Sequence, residues 1–76
     1  MDTLAEAVAA TLRAERAAAS MTQAELAKRA GLGYQTVIRL EKGTRSPTVE
    51  QLARLCSALG MSMSELVERA ERRLAS

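Results

Sequence analysis

Four times in this 76-residue chain, a serine or threonine is followed three residues later by glutamate or glutamine, just ahead of a helically spaced apolar pattern. The pairs are Thr3 with Glu6, Thr22 with Glu25, Thr48 with Gln51, and Ser62 with Glu65. In such a capping box the hydroxyl accepts from a backbone N–H of the first helical turn, while the longer side chain reaches back to the cap's own N–H. Each pair marks a helix start. The spacing predicts helices over Leu4–Ala18, Gln23–Ala30 and Val49–Leu59, and from Met63 into the C-terminal tail. A further helix is expected over Tyr34–Lys42, with Val37 and Leu40 turned inward. No stretch alternates apolar and polar residues as a half-buried strand would. Connections of two to six residues between these segments suit a compact helical bundle.

The inward faces follow from the same periodicity. Leu4, Val8 and Leu12 share one side of the first helix, and Leu26 and Ala27 turn inward from the second. Leu52, Leu55, Cys56 and Leu59 do so on the fourth, ahead of a C-capping Gly60, and Leu66, Val67, Ala70 and Leu74 line one side of the fifth. A chain this short buries only about 60% of its unfolded surface. Its core is marginal and self-association is a common remedy. The fifth-helix stripe is longer than a minimal bundle needs, and is the candidate for an isologous interface between two copies.

Composition narrows the chemistry. The single Cys56 cannot form an internal disulfide, and with no histidine present neither a zinc site nor an activated thiol is expected. Paired catalytic carboxylates and a phosphate-cradling loop are also missing, so an enzyme is not expected. No cofactor is implied. The N-terminus carries acid where a signal peptide would carry base, and no apolar run is long enough for a bilayer. The expectation is a cytoplasmic protein without a membrane partner.

Charge is unevenly placed. Residues 1–27 hold two bases and four acids, and residues 47–76 hold four of each. Residues 28–46 hold Lys28, Arg29, Arg39, Lys42 and Arg45 against Glu41 alone. A positive stretch of this kind is the electrostatic footprint expected for a polyanion, although a solvated charged face gives the same pattern. Within it the segment A-G-L-G joins the second and third helices. Gly31 follows the second helix where a left-handed residue is commonly needed. Ala27 is small where a larger side chain would hold the helices apart, and Leu26, Leu32, Val37 and Leu40 fill the angle between them. Together these residues form the pattern of a helix-turn-helix, whose second helix stands out to enter a major groove. That explains why Ile38 and Arg39 lie with Gln35 on a face turned from the core, with Tyr34, the only aromatic residue, on its flank.

From Leu12 to Val67 the chain resembles the phage repressor and Cro-like helix-turn-helix family, also called the xenobiotic-response-element family. The matching segments are L-R-A-E-R, M-T-Q-A-E-L-A-K-R-A-G-L, T-V-I-R-L-E-K-G-T-R-S-P-T and L-A-R-L-C-S-A-L-G-M-S-M-S-E-L. The resemblance implies an all-α, lambda-repressor-like five-helix bundle over residues 1–76, acting as a single DNA-binding domain and binding operator DNA as a dimer. It places Tyr34, Gln35 and Arg39 where family members read base edges, with Ile38 beside them within reach of a thymine methyl. Gln23 matches a glutamine that contacts DNA backbone and braces the recognition helix; Lys42, Thr44 and Arg45 are the other candidates for backbone contact. Arginine can donate two bonds to guanine, and glutamine can pair with adenine. For Tyr34 the rival reading is packing against the second helix. Lys28 and Arg29 read equally well as solvated charges. Arg16 and Glu41 match a pair that clamps the motif, a structural role. Ser20 departs from the pattern, since many relatives have glycine there. Either the first helix ends differently or Ser20 takes an uncommon backbone angle.

The function expected is a sequence-specific transcriptional regulator, a homodimer on a two-fold symmetric double-stranded operator with the third helix in the major groove. Its context would be a phage repressor or Cro-like protein, a restriction–modification controller or an antitoxin. It would be nucleoid-associated when bound. The nine residues after Val67 leave no room for a sensor domain, so no small-molecule ligand is expected. A protein-interaction adaptor that keeps the fold without reading DNA is the alternative.

Overall fold

A computed structural model describes residues 2–76. Five helices follow one another: α1 (Leu4–Ala18), α2 (Gln23–Ala30), α3 (Tyr34–Lys42), α4 (Val49–Leu59) and α5 (Met63–Ala75). Their starts obey the capping signals. At Thr22, Thr48 and Ser62 both halves of the capping box form. Hydrogen bonds from the Thr22 backbone and hydroxyl hold the Glu25 carboxyl below its ordinary range, and those of Ser62 do the same for Glu65. Thr3 departs from the expected box. Its hydroxyl accepts from the Glu6 N–H but also donates to the Glu6 carboxylate at 3.0 Å, in place of the bond that the Thr3 N–H would donate to that carboxylate. α3 alone begins at a glycine, Gly33, with no side-chain cap.

The first four helices end alike. Leu32 N–H donates back to the Ala27 carbonyl, Thr44 to Arg39, Met61 to Cys56 and Met21 to Arg16, over 2.9–3.2 Å. This closure needs a left-handed residue just before the donor. Glycine supplies it three times and Ser20, at φ 56°, once. α1 therefore ends as the next three helices do, and the serine carries the strain. A left-handed non-glycine residue costs roughly 1–2 kcal/mol, part of which glycine returns as unfolded-chain entropy. Ser20→Gly should therefore stabilise the fold by about 0.5–1 kcal/mol, read as a raised urea midpoint at unchanged slope. A lowered midpoint would show that Ser20 is not strained.

α1 packs against α3 and α5, α2 against α3 and α4, and α4 against α5. One apolar cluster fills the centre: Ala7, Val8 and Leu12 from α1, Leu26, Ala27 and Ala30 from α2, and Val37 and Leu40 from α3. Leu55 and Cys56 of α4 and Leu66 and Ala70 of α5 complete it. Burial pushes the Cys56 thiol up, which suits a small apolar core residue and not a nucleophile. Leu4, expected on the same inward face as Val8 and Leu12, is 42% exposed in the first turn of α1. The α5 stripe also divides. Leu66 and Ala70 are wholly buried in this chain's own core, Leu74 packs partly against it and Val67 is half-buried. Leu66 and Ala70 are therefore unavailable to a partner, because a core this small needs them. No described helix is long and apolar enough to cross a membrane.

Candidate nucleic-acid interface

α2, the turn and α3 form the projecting part of the bundle. Gly31 at φ 68° reverses the chain after α2. A Cβ there would also lie 3.1 Å from an Arg54 guanidinium nitrogen, so both backbone angle and space favour glycine. Leu32 then packs against the core from the inner angle. Val37 and Leu40, at 0% and 1% exposure, hold α3 to the bundle. With those two positions inward, helical geometry turns Gln35, Arg39 and Lys42 outward and leaves Tyr34, three residues before Val37, on the flank; all four are exposed. The Tyr34 ring is about half exposed, at 49%. Ile38 is only partly exposed, since it lines the edge of the outward face beside α1 and α2.

Behind this face lies a polar network centred on Glu41, which is 2% exposed. Arg16 Nε of α1 donates to Glu41 Oε2 at 2.7 Å, and the Gln23 amide of α2 donates to Oε1 at 3.1 Å. A second Arg16 nitrogen donates to the Met21 carbonyl at 2.8 Å, securing the turn after α1. Among the described residues, no buried polar side-chain atom lacks a partner. The clamp therefore joins three helices. Gln23, expected both to brace α3 and to meet DNA backbone, makes the brace through its side chain. Its position at the first turn of α2 leaves it partly exposed.

Arg13 is the site residue whose role sequence reasoning missed. Exposed on α1, it donates to the backbone carbonyl of Glu41, near the end of α3. It stands three residues before Arg16, which places both guanidinium groups on one side of α1. That spacing was the available signal. Thr44, expected at the DNA backbone, also helps to end α3. Its N–H and its hydroxyl both donate to the Arg39 carbonyl, at 3.2 and 3.3 Å, so its donors close α3 and are not presented outward.

The cations of this region differ from most of those on α4 and α5, where among the described residues Arg73 alone lacks a carboxylate partner. Arg54, Arg69 and Arg72 are paired with Glu50, Glu15 and Glu68. Among the described residues, Lys28, Arg29, Arg39, Lys42 and Arg45 have no carboxylate within salt-bridge distance. α3 also begins without a side-chain cap, so its first-turn N–H groups keep the partial positive charge of a helix start.

A short turn between two helices, a buried clamp behind the second and an unpaired basic face in front define a helix-turn-helix protein. A family model described as helix-turn-helix matches residues 12–66. The chain belongs to this Cro/C1-type family of DNA-binding transcription regulators. It is 45% identical over 58 residues to an uncharacterized HTH-type transcriptional regulator, y4dJ, of Sinorhizobium fredii, covering 76% of this chain and 71% of that one. It is 38% identical over 60 residues to the cryptic phage CTXphi transcriptional repressor RstR of Vibrio cholerae, covering 79% of this chain and 51% of the repressor. Among solved structures, the clp gene regulator ClgR of Corynebacterium glutamicum superposes with a TM-score of 0.91 at 34% identity, over 96% of this chain and 78% of that one. The restriction–modification controller protein C.Esp1396I shares the fold, with a TM-score of 0.90 at 22% identity over 100% and 98% of the two chains.

Proposed function

We propose that the protein is a sequence-specific regulator that binds a two-fold symmetric operator as a homodimer, with one α3 entering the major groove of each half-site. The observation that carries this reading is the outward face of α3 and the loop after it, where Arg39, Lys42 and Arg45 stand exposed and without ion-pair partners. An α-helix fits the major groove, whose width is about 12 Å. Gln35 and Arg39 are the candidates for base edges, Tyr34 and Ile38 for apolar contact beside them. Lys42, Arg45 and the first turn of α2 at Gln23 are the candidates for phosphate. Thr44 contributes by shaping the loop that carries Arg45.

Repression is the favoured outcome, because the repressor RstR is among the relatives. The choice among phage, restriction–modification and antitoxin contexts rests on the genes beside the operator.

Phosphate contacts should give duplex binding a steep salt dependence, because each neutralised phosphate releases counterions. Arg45→Ala should weaken binding to any duplex and make the slope of log affinity against log salt shallower by about one. Fluorescence anisotropy across a salt series measures this. An unchanged slope would remove Arg45 from the interface.

A further inference from the structure

Arg13 lies on α1, outside the helix-turn-helix, yet its guanidinium borders α3. Together with Gln23, Ile38, Glu41 and Lys42 it lines an open depression of about 350 Å³ along one edge of the recognition face. Two of the five lining residues are cations. The one acid is Glu41, whose carboxylate oxygens accept from Arg16 and Gln23 and which is almost wholly covered. The depression is therefore electropositive at its mouth. On the other side of Arg13 a second hollow, also bordered by Lys42, contains Glu6 and is less suited to an anion.

An α-helix with its side chains is about 10–12 Å across, and the major groove is about 12 Å wide. Groups flanking the outward face of α3 therefore meet the phosphates that wall the groove. We propose that Arg13 and Lys42 together hold one backbone phosphate at the mouth of this depression, extending the DNA interface onto α1. This rests on the DNA-binding reading above. Arg13 uses one N–H on the Glu41 carbonyl and has four more to offer, in the planar arrangement that matches phosphate oxygens. The same side chain would thus touch the phosphate and the end of α3. The contact would set how deeply α3 sits in the groove as well as adding affinity.

The test separates this role from simple support of α3. Arg13→Gln keeps a donor for the Glu41 carbonyl but removes the charge, and Lys42→Gln removes the second cation from a side chain that forms no ion pair. Both would be titrated against a mixed-sequence duplex across a salt series, with urea unfolding in parallel. The expected result is a shallower log–log salt slope for each variant, with a total loss of about one when the two are combined, because they share one phosphate. Arg13→Lys should restore the wild-type slope. An Arg13→Gln slope equal to wild type would overturn the assignment, whatever its stability. If that variant does not fold, an unchanged slope in Lys42→Gln overturns it equally. Wild-type protein that fails to bind the duplex at low salt would instead overturn the DNA-binding reading itself.

Discussion

Glu41→Ala should cost about 3–5 kcal/mol of stability, since it leaves the Arg16 guanidinium partly buried without its carboxylate. Glu41 is 2% exposed and serves α1 and α2 at once, through Arg16 at 2.7 Å and Gln23 at 3.1 Å. Its removal strands one partly buried charge and one amide, the circumstance in which breaking an ion pair is most costly. Small domains are stable by about 5–15 kcal/mol in total, so a large share of the folded state's margin depends on this one carboxylate. Urea unfolding gives the number. A double-mutant cycle with Arg16→Ala should show strong coupling, because the second substitution removes the stranded charge. A loss below about 1 kcal/mol would place the pair with exposed salt bridges, which contribute little.

The second large effect concerns recognition. Arg39→Ala should weaken binding to the preferred operator by about 1–3 kcal/mol and relax preference at one base step. Arg39 is exposed on the outward face of α3, has no carboxylate partner, and lies one turn beyond Gln35. Its backbone carbonyl accepts from Gly43 and Thr44, which fixes the helix end beside it. Among the described residues the side chain itself makes no intramolecular hydrogen bond, so the substitution should leave the unfolding midpoint nearly unchanged. Equal weakening on every sequence would reassign Arg39 to phosphate.

Much of the fold was legible because helix punctuation is local. Thr22, Thr48 and Ser62 begin helices where their capping partners place them, and Gly31, Gly43 and Gly60 end helices by their left-handed angles. Local chemistry could not settle how much of each apolar stripe the core consumes. Leu4 shares the periodicity of Val8 and Leu12 but lies beyond the bundle's edge, while Leu66 and Ala70 are taken by the core. These outcomes depend on which helices meet, a long-range property. The same distinction applies to the site. Arg16 and Glu41 are twenty-five residues apart and were paired through family resemblance, not spacing. The spacing of Arg13 and Arg16 put both on one side of α1, but the acceptor was not legible, because any residue could supply a backbone carbonyl. Thr44 illustrates the converse. A hydroxyl in a basic loop suggests phosphate, yet here it closes α3.

The α5 surface has a bearing on assembly. With Leu66 and Ala70 enclosed, the larger apolar groups of α5 still at the surface are Met63, 38% exposed, and the partly covered Val67 and Leu74. A dimer through this helix would have to rest on those three, on the exposed Ala75 and on neighbouring polar groups.

The central claim is that α3 reads sequence from a two-fold symmetric site. Selection of bound duplexes from a random pool, followed by sequencing, tests it most directly. The expected result is enrichment of a palindromic motif whose half-site centres are about 34 Å apart, roughly one helical turn, with preference lost at one step in each half-site when Arg39 is replaced by alanine. A bound pool indistinguishable from the input, or one whose preference survives Arg39→Ala unchanged, would contradict it.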